Sequence, residues 1–401
     1  MSQTPAEMTE KVLDAGIWHM SDGQLSYKPE GFNGSVQNSH QFAFTEAPVV
    51  LPQHALDQMC AIAAQVPTYY RMLQSLGENL PSTGTSSQYK GIDTARWAPP
   101  PVTMIDAMIT ADGEVKIAEV DVINPRGLGY LALYDQLHAD AGAQHALRAV
   151  ARTVREHDAE LTVLQGSMQN FYGPYFALLQ KALKQSGAIC NVTLEPDITV
   201  GHDGALLVDG IAWAPSLLLD FPALRKRLKK AYGPLADTIV QAYNEGVLAM
   251  LYPPQPHLSS KLLLAHASEQ GIFGDHLPKT LLCEDAETAR KYLATGEYCI
   301  KAAVSSGMKG LWLPGSVDVT GVKFPLVAQG LVADQHVLEL THASGNHKDW
   351  QVGKFLARLS LFVSTDGMLL AADITGQPYT GAVRGVHGNP DCVLAPVSLA
   401  F

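Results

Sequence analysis

The spacing of apolar positions changes period several times along the chain, and each change predicts an element. Residues 52–76 (PQHALDQMCAIAAQVPTYYRMLQSL) carry helical spacing, interrupted at Pro67. Residues 1–50 read as loops and short strands, and residues 77–101, rich in Gly, Ser and Pro, as loop. Residues 102–124 alternate as a β-hairpin, and residues 130–156 are helical. Residues 161–220 run strand (ELTVLQ), helix (GPYFALLQKALKQSG), strand (ICNVTLE), then a hairpin around Asp203-Gly204, the pattern of a small α/β domain. Pro222 opens a basic helix that runs into residues 234–244. Residues 259–270 form a helix with Ser259 or Ser260 as N-cap and Gly271 as its stop, and residues 284–294 another. From Tyr298 onward the chain reads mostly as β, with hairpins and glycine turns.

A length of 401 residues predicts two or three domains at ~100–200 residues each. Hydrophobic residues make up 47 % and charged residues 17 %, enough apolar material for a large core and no sign of disorder. There are 28 Lys and Arg against 39 Asp and Glu, a net charge of −11, which argues against a general nucleic-acid binder. It does not exclude a nucleotide, because salt screens net charge beyond roughly 8 Å and a cation site itself calls for carboxylates. The first residues lack the pattern of a signal peptide, and no stretch reaches the ~20 apolar residues of a membrane span. Five scattered cysteines without a CxxC fit reduced thiols serving as buried filler in a cytoplasmic protein.

The segment VTMIDAMITADGEVKIAEVDVINPRG is the most informative. Asp112-Gly113 predicts a two-residue turn, which would set Thr110 opposite Val115, Met108 opposite Ile117 and Asp106 opposite Glu119. Asp121 then shares the face of Glu119. Three carboxylates would cluster beside Met104, Met108, Val115 and Ile117, where like charges repel and a cation is needed. Hard oxygen ligands of this kind suit Mg²⁺; the other reading is an acidic face turned to water.

Further along, YCIKAAVSSGMKGLWL places Lys301 on a strand before a loop of Ser305, Ser306 and Gly307, with Lys309 beyond. Such a loop can bring backbone N–H groups against phosphate, or be an ordinary glycine turn. Lys261 falls in the first turn of its helix, where a cation opposes the dipole unless an anion is near. The run of Arg225, Lys226, Arg227, Lys229 and Lys230 reads as a solvated basic face. There is no HExxH, no zinc spacing and no GxSxG elbow.

In this order the segments resemble the ATP-grasp superfamily, in the circularly permuted arrangement of the glutathionylspermidine-synthase-like type. The carrying motifs are the hairpin, then HDGALLVDGIAWAPSLLLD, then NEGVLAMLYPPQPHLSSKLLLAHASEQGIFGDHLPKTLL, the Lys301 strand with its loop, PLVAQGLV, and FLARLSLFVSTDGMLLAADITGQPYTGAVRGVHGNPDCVLAPV. The resemblance covers residues 96–401 and departs at Asp121, where the family usually has Asn; Asn124 is the rival position.

The resemblance implies an α+β and α/β chain: a metal-binding hairpin at 96–130, an α/β pre-ATP-grasp-like domain at 131–245, a lid at 246–335 and a core at 336–401. Residues 1–95 match nothing. It implies ATP held by Lys261, Lys301 and the Ser305–Gly307 loop, with Gln329, Gly330 and Leu331 offering backbone hydrogen bonds to adenine. Asp106, Glu119 and Asp121 or Asn124 would bind Mg²⁺, Arg358 would lie beside the γ-phosphate, and Arg126 or Arg384 would hold a substrate carboxylate. The implied activity is an ADP-forming ligase joining small-molecule carboxylate and amine substrates, with a homodimer as the candidate assembly and neither nucleic acid nor membrane as partner. A small-molecule kinase and a non-catalytic nucleotide-binding module are the alternatives.

Overall fold

The computed structural model describes residues 3–15, 18–21, 24–27, 43–76, 93, 99–122, 127–138, 142, 144–157, 160–165, 169–194, 198–200, 206–208, 211–212, 216–219, 234–246, 249–252, 258, 260–303, 310–316, 319, 322–332, 334–344, 348–379 and 392–399. Within these, only the backbone is described for residues 18–27, 160–174, 191–239 and 249.

A seven-stranded sheet organises the chain, in the order Val337–Ser344, Ala43–Thr45, Val393–Pro396, Leu369–Pro378, Gln351–Ser364, Val102–Ile109, Val115–Asp121. The strand Gln351–Ser364 serves two neighbours on one edge: residues 351–356 pair with Val337–Ser344 and residues 358–364 with Val102–Ile109. The pairings therefore close through five strands, which removes the bare edges that part of the sheet would otherwise expose. Residues 43–45 are one of the five, so the first 95 residues contribute to the middle of the sheet.

Strand alternation divides the side chains between two covered faces. Ile105, Ala107, Ile109, Leu359 and Leu361 go to one, buried under the helices Gln53–Ala64, Val66–Leu76 and Leu262–Glu269. Met104, Phe362 and Ala371 go to the other, under Leu128–Leu137, Gln144–Glu156 and Gln169–Gln185. Each large aliphatic side chain buried this way contributes about 1.5–3 kcal/mol before entropy is counted. Pro67 sits in the first turn of Val66–Leu76, where its missing donor leaves no hydrogen bond unmade.

Residues 1–50 differ from expectation by holding a helix, Pro5–Asp14. Thr4 and Glu7 form a capping box around Pro5, and Met8 and Val12 are buried with Phe44, Leu133 and Leu137. The expected α/β unit is present as a parallel sheet in the order Ala249–Met250, Ser216–Leu219, Glu160–Gln165, Cys190–Leu194, with Gln169–Gln185 connecting the last two. Ile198–Val200 and Leu206–Val208 flank the predicted hairpin, whose Asp203 and Gly204 lie outside the described residues, as does the basic run 225–230. The helix Pro234–Glu245 follows.

A small antiparallel sheet has the order Thr280–Cys283, Leu326–Gly330, Tyr298–Ala302, Leu311–Trp312. Beside it, Ala286–Thr295 is capped by Asp285, which accepts from the Thr288 N–H at 2.7 Å. The helix expected to start after Ser259 or Ser260 begins at Leu262, with Lys261 in the N-cap place. Burial pushes the thiols of Cys190 and Cys283 up, to about 12 and about 11, as befits filler; Cys60, by contrast, is exposed. Among the described residues no helix is long and apolar enough to cross a membrane.

His138 ends the helix Leu128–Leu137, is buried, and has an Nε2 without a hydrogen-bond partner among the described residues. Burial, helped by Lys11, holds its ring down to about 4 from an ordinary 6.5, against a backbone hydrogen bond to Thr45. Its neutral form is the one that fits, so the stability it contributes is complete above pH 6.5 and declines as pH falls toward 4. Urea unfolding at pH 7 and pH 4.5 should show a larger loss for the wild type than for His138→Leu; equal losses would remove His138 from the account.

Candidate active site

The turn of the hairpin differs from expectation. The Thr110 N–H donates to the Glu114 carbonyl at 2.8 Å and the Gly113 N–H to the Thr110 carbonyl at 2.9 Å, so three residues form the loop, not two. Gly113 takes φ +87°, a left-handed conformation that a side chain would strain. The extra residue slides the register by one: Ile109 faces Val115, Met108 faces Lys116 and Ala107 faces Ile117. A second irregularity follows, because Ala118 has no opposite number on the neighbouring strand. The two shifts cancel, and Asp106 faces Glu119 and Met104 faces Asp121. Val115 and Ile117, expected beside the carboxylates, instead join Ile105 and Ala107 in the opposite core.

Glu119 and Asp106 begin a polar row that crosses four strands through Ser360 to Asp373. Opposed carboxylates repel, and two cations answer them. Lys261 Nζ lies 2.9 Å from Glu119 Oε1, and Arg358 Nη1 lies 3.5 Å from Asp106 Oδ2. The Lys261 side chain is 8 % exposed, Asp106 13 %, Arg358 27 % and Glu119 40 %, so the pairs span the boundary between core and solvent. The Lys261 N–H donates to the Ala303 carbonyl at 2.7 Å, which ties its helix to the end of the Lys301 strand. A cation at a helix N-terminus opposes the dipole, and Glu119 offsets that cost.

Lys301 reaches the hairpin itself. Its ammonium donates to the carbonyl of Ala118, the unopposed residue, at 3.1 Å, and to the Gln329 side-chain oxygen. The Gln329 amide donates in turn to the Ile117 carbonyl at 3.4 Å. Burial pushes the Lys301 ammonium below its ordinary range, and nearby Lys261 adds to this; Cys299, Glu119 and Asp106 pull the other way. Gln329 thus acts through its side chain, while its backbone stands in the ladder between Thr280 and Cys299. The N–H groups of Gly330 and Leu331 are engaged by the carbonyls of Lys279, at 2.9 Å, and Glu297, at 2.8 Å, so hydrogen bonds from this segment to a base would fall to other groups.

Asp373 is a participant that the motifs did not single out. It is 4 % exposed, next to Ser360, Arg358 and Tyr134, and its Oδ1 has no hydrogen-bond partner among the described residues. Burial pushes its carboxyl up to about 7, with Asp106 adding; Ser360, Arg358 and Tyr134 lower it. Above it, Gly127 opens the helix Leu128–Leu137 at φ +108°, and any Cβ there would meet the Phe362 ring at 2.9 Å. The signal in the sequence was a lone acid among apolar neighbours in LLAADIT.

Asp121 lies two residues along from Glu119, and its charge reaches the buried Tyr70 and Tyr252, whose hydroxyls burial above all pushes up. Among the described residues no three His, Cys, Asp or Glu side chains gather as a metal group. Asn124, Arg126, Ser305, Ser306, Gly307 and Arg384 lie outside the described residues.

The backbone superposes on a glutathione synthetase-like effector from Globodera pallida in its apo form, with a TM-score of 0.55 at 12 % identity, over 99 % of this chain and 98 % of that one. The two share a fold. A protein assigned as a gamma-glutamylcysteine synthetase from Methylobacillus flagellatus matches over 88 % of this chain and 90 % of its own, at 12 % identity and a TM-score of 0.40. No known sequence family and no curated protein matches the chain by sequence.

Replacing Gln329 by Leu strips Lys301 of one acceptor and the Ile117 carbonyl of its donor. Urea unfolding should register a loss of about 1–3 kcal/mol. An unchanged midpoint would mean that the Lys301–Gln329 contact does not hold the small sheet to the hairpin.

Proposed function

We propose that this protein is an ATP- and Mg²⁺-dependent ligase of the ATP-grasp type, in circularly permuted arrangement, that joins the carboxylate of one small amino-acid-like molecule to the amine of another. The observation that carries the reading is the opposed pair Asp106 and Glu119 with Lys261, Lys301 and Arg358 arranged around it. The fold shared with a glutathione synthetase-like effector supports it.

The donor set fits the metal. Mg²⁺ takes hard oxygen ligands, commonly one or two carboxylates completed by substrate phosphates. Asp106 and Glu119 would hold it, with Asp121 or Asn124 alongside, and it would neutralise charge that moves during phosphoryl transfer. Lys261 and Lys301 would bind the phosphates, and Arg358 would orient the γ-phosphate. Arg126 or Arg384 would hold the substrate carboxylate in line. That carboxylate attacks the γ-phosphorus, ADP leaves, and an acyl-phosphate forms. The amine nitrogen then attacks the acyl carbon, phosphate leaves, and the nitrogen gives up a proton. The Ser305–Gly307 loop would exclude water, which otherwise hydrolyses the acyl-phosphate.

Thermal unfolding with a non-hydrolysable ATP analogue tests the reading. Mg²⁺ should add about 3 °C or more to the midpoint of the wild type and little to Glu119→Gln. A screen for phosphate release over pairs of amino acids should then find turnover only when an amine is present. No Mg²⁺-dependent shift would overturn the nucleotide site, and ADP formed without need of an amine would favour the kinase.

A further inference from the structure

The carboxylates proposed to hold a metal lie against cations proposed to hold phosphates. Glu119 is paired with Lys261 at 2.9 Å and Asp106 with Arg358 at 3.5 Å. Lys301 stands close enough for both acids to act on it. Among the described residues, Lys261, Lys301 and Arg358 thus stand among the carboxylates of one row, Glu119, Asp106 and Asp373. A divalent ion entering alone would bring two positive charges to carboxylates already in contact with cations. It would also have to displace the Lys261 ammonium, 8 % exposed, from Glu119, which is costly. A triphosphate changes both terms: it supplies the anion that Lys261 can turn to, and oxygens that complete a metal's shell beyond two carboxylates.

Resting on the nucleotide site proposed above, we infer that Lys261 is a gate for the metal: it occupies Glu119 until a triphosphate draws it away, so the divalent ion and the nucleotide bind as a coupled pair. Lys261 suits this role through its position. Its backbone is pinned to Ala303 and it sits in the N-cap place of Leu262–Glu269, so only the side chain has to swing. Coupling of this kind is reciprocal, and the nucleotide in turn binds weakly without the ion.

Mn²⁺, followed by its paramagnetic resonance signal with protein-free Mn²⁺–nucleotide controls, reports binding without turnover. The wild type should hold Mn²⁺ about a hundredfold more tightly with a non-hydrolysable ATP analogue than without it. Lys261→Met should bind Mn²⁺ alone about tenfold or more tightly than the wild type, by the worth of one charge-assisted hydrogen bond. Lys261→Arg, which keeps the cation, should behave as the wild type. Equal Mn²⁺ affinity of the wild type with and without nucleotide overturns the gate, and needs no variant to fold. So does nucleotide-dependent binding in the wild type with no gain in Lys261→Met. A wild type that takes up neither Mn²⁺ nor nucleotide removes the gate together with the proposed function.

Discussion

Adding one residue to one side of a hairpin turns every later side chain on that strand to the opposite face of the sheet. Here that happens twice, at the three-residue loop and at Ala118. The first shift puts Val115 and Ile117 into the core, where they are fully buried. The second returns Glu119 and Asp121 to the face of Asp106. Without the unopposed alanine the strand would have to choose between a buried apolar edge and an assembled acidic one. Ala118 also offers its carbonyl to Lys301, so the irregularity that aligns the acids helps dock the small sheet that carries the cation.

The charges and the architecture are consequently hard to separate. A buried ammonium without acceptors costs several kcal/mol. Lys301 avoids that cost through groups on two elements, Ala118 on the hairpin and Gln329 on a neighbouring strand of its own sheet. Lys261 does so through Glu119, 142 positions away in sequence. The small sheet thus reaches the hairpin through polar contacts of Lys301 and Gln329.

Local features were legible where period and punctuation agreed. The helices Gln53–Ala64, Val66–Leu76 and Ala286–Thr295, and the hairpin itself, follow from spacing with proline, glycine and aspartate at their ends. The bulge left a trace that the turn obscured: in VKIAEVDV the apolar positions move from Val115 and Ile117 to Val120 and Val122, which changes parity at Ala118-Glu119. Thr4-Pro5-Ala6-Glu7 is a capping box plain in the letters, yet the helix it starts was hidden by a short apolar face. The Lys261–Glu119 pair was not legible by any local rule, and of Asp373 only its apolar neighbours were, not its place in the acidic row. They depend on which distant strands and helices meet, and no period within a segment encodes that.

The closed circuit of five strands has a consequence for how the molecule is made. Ala43–Thr45 lies between residues 342–344 and residues 393–394, so this strand has no partners in the sheet until those distant residues have been made. Contacts this distant in sequence slow folding, and an unpaired strand is exposed to wrong pairings while it waits. The Pro5–Asp14 helix shares the cluster around Phe44 and faces the same delay, because Leu133, Leu178 and Ala343 must arrive in turn. Residues 393–394 thus complete the pairing that residues 43–45 wait for.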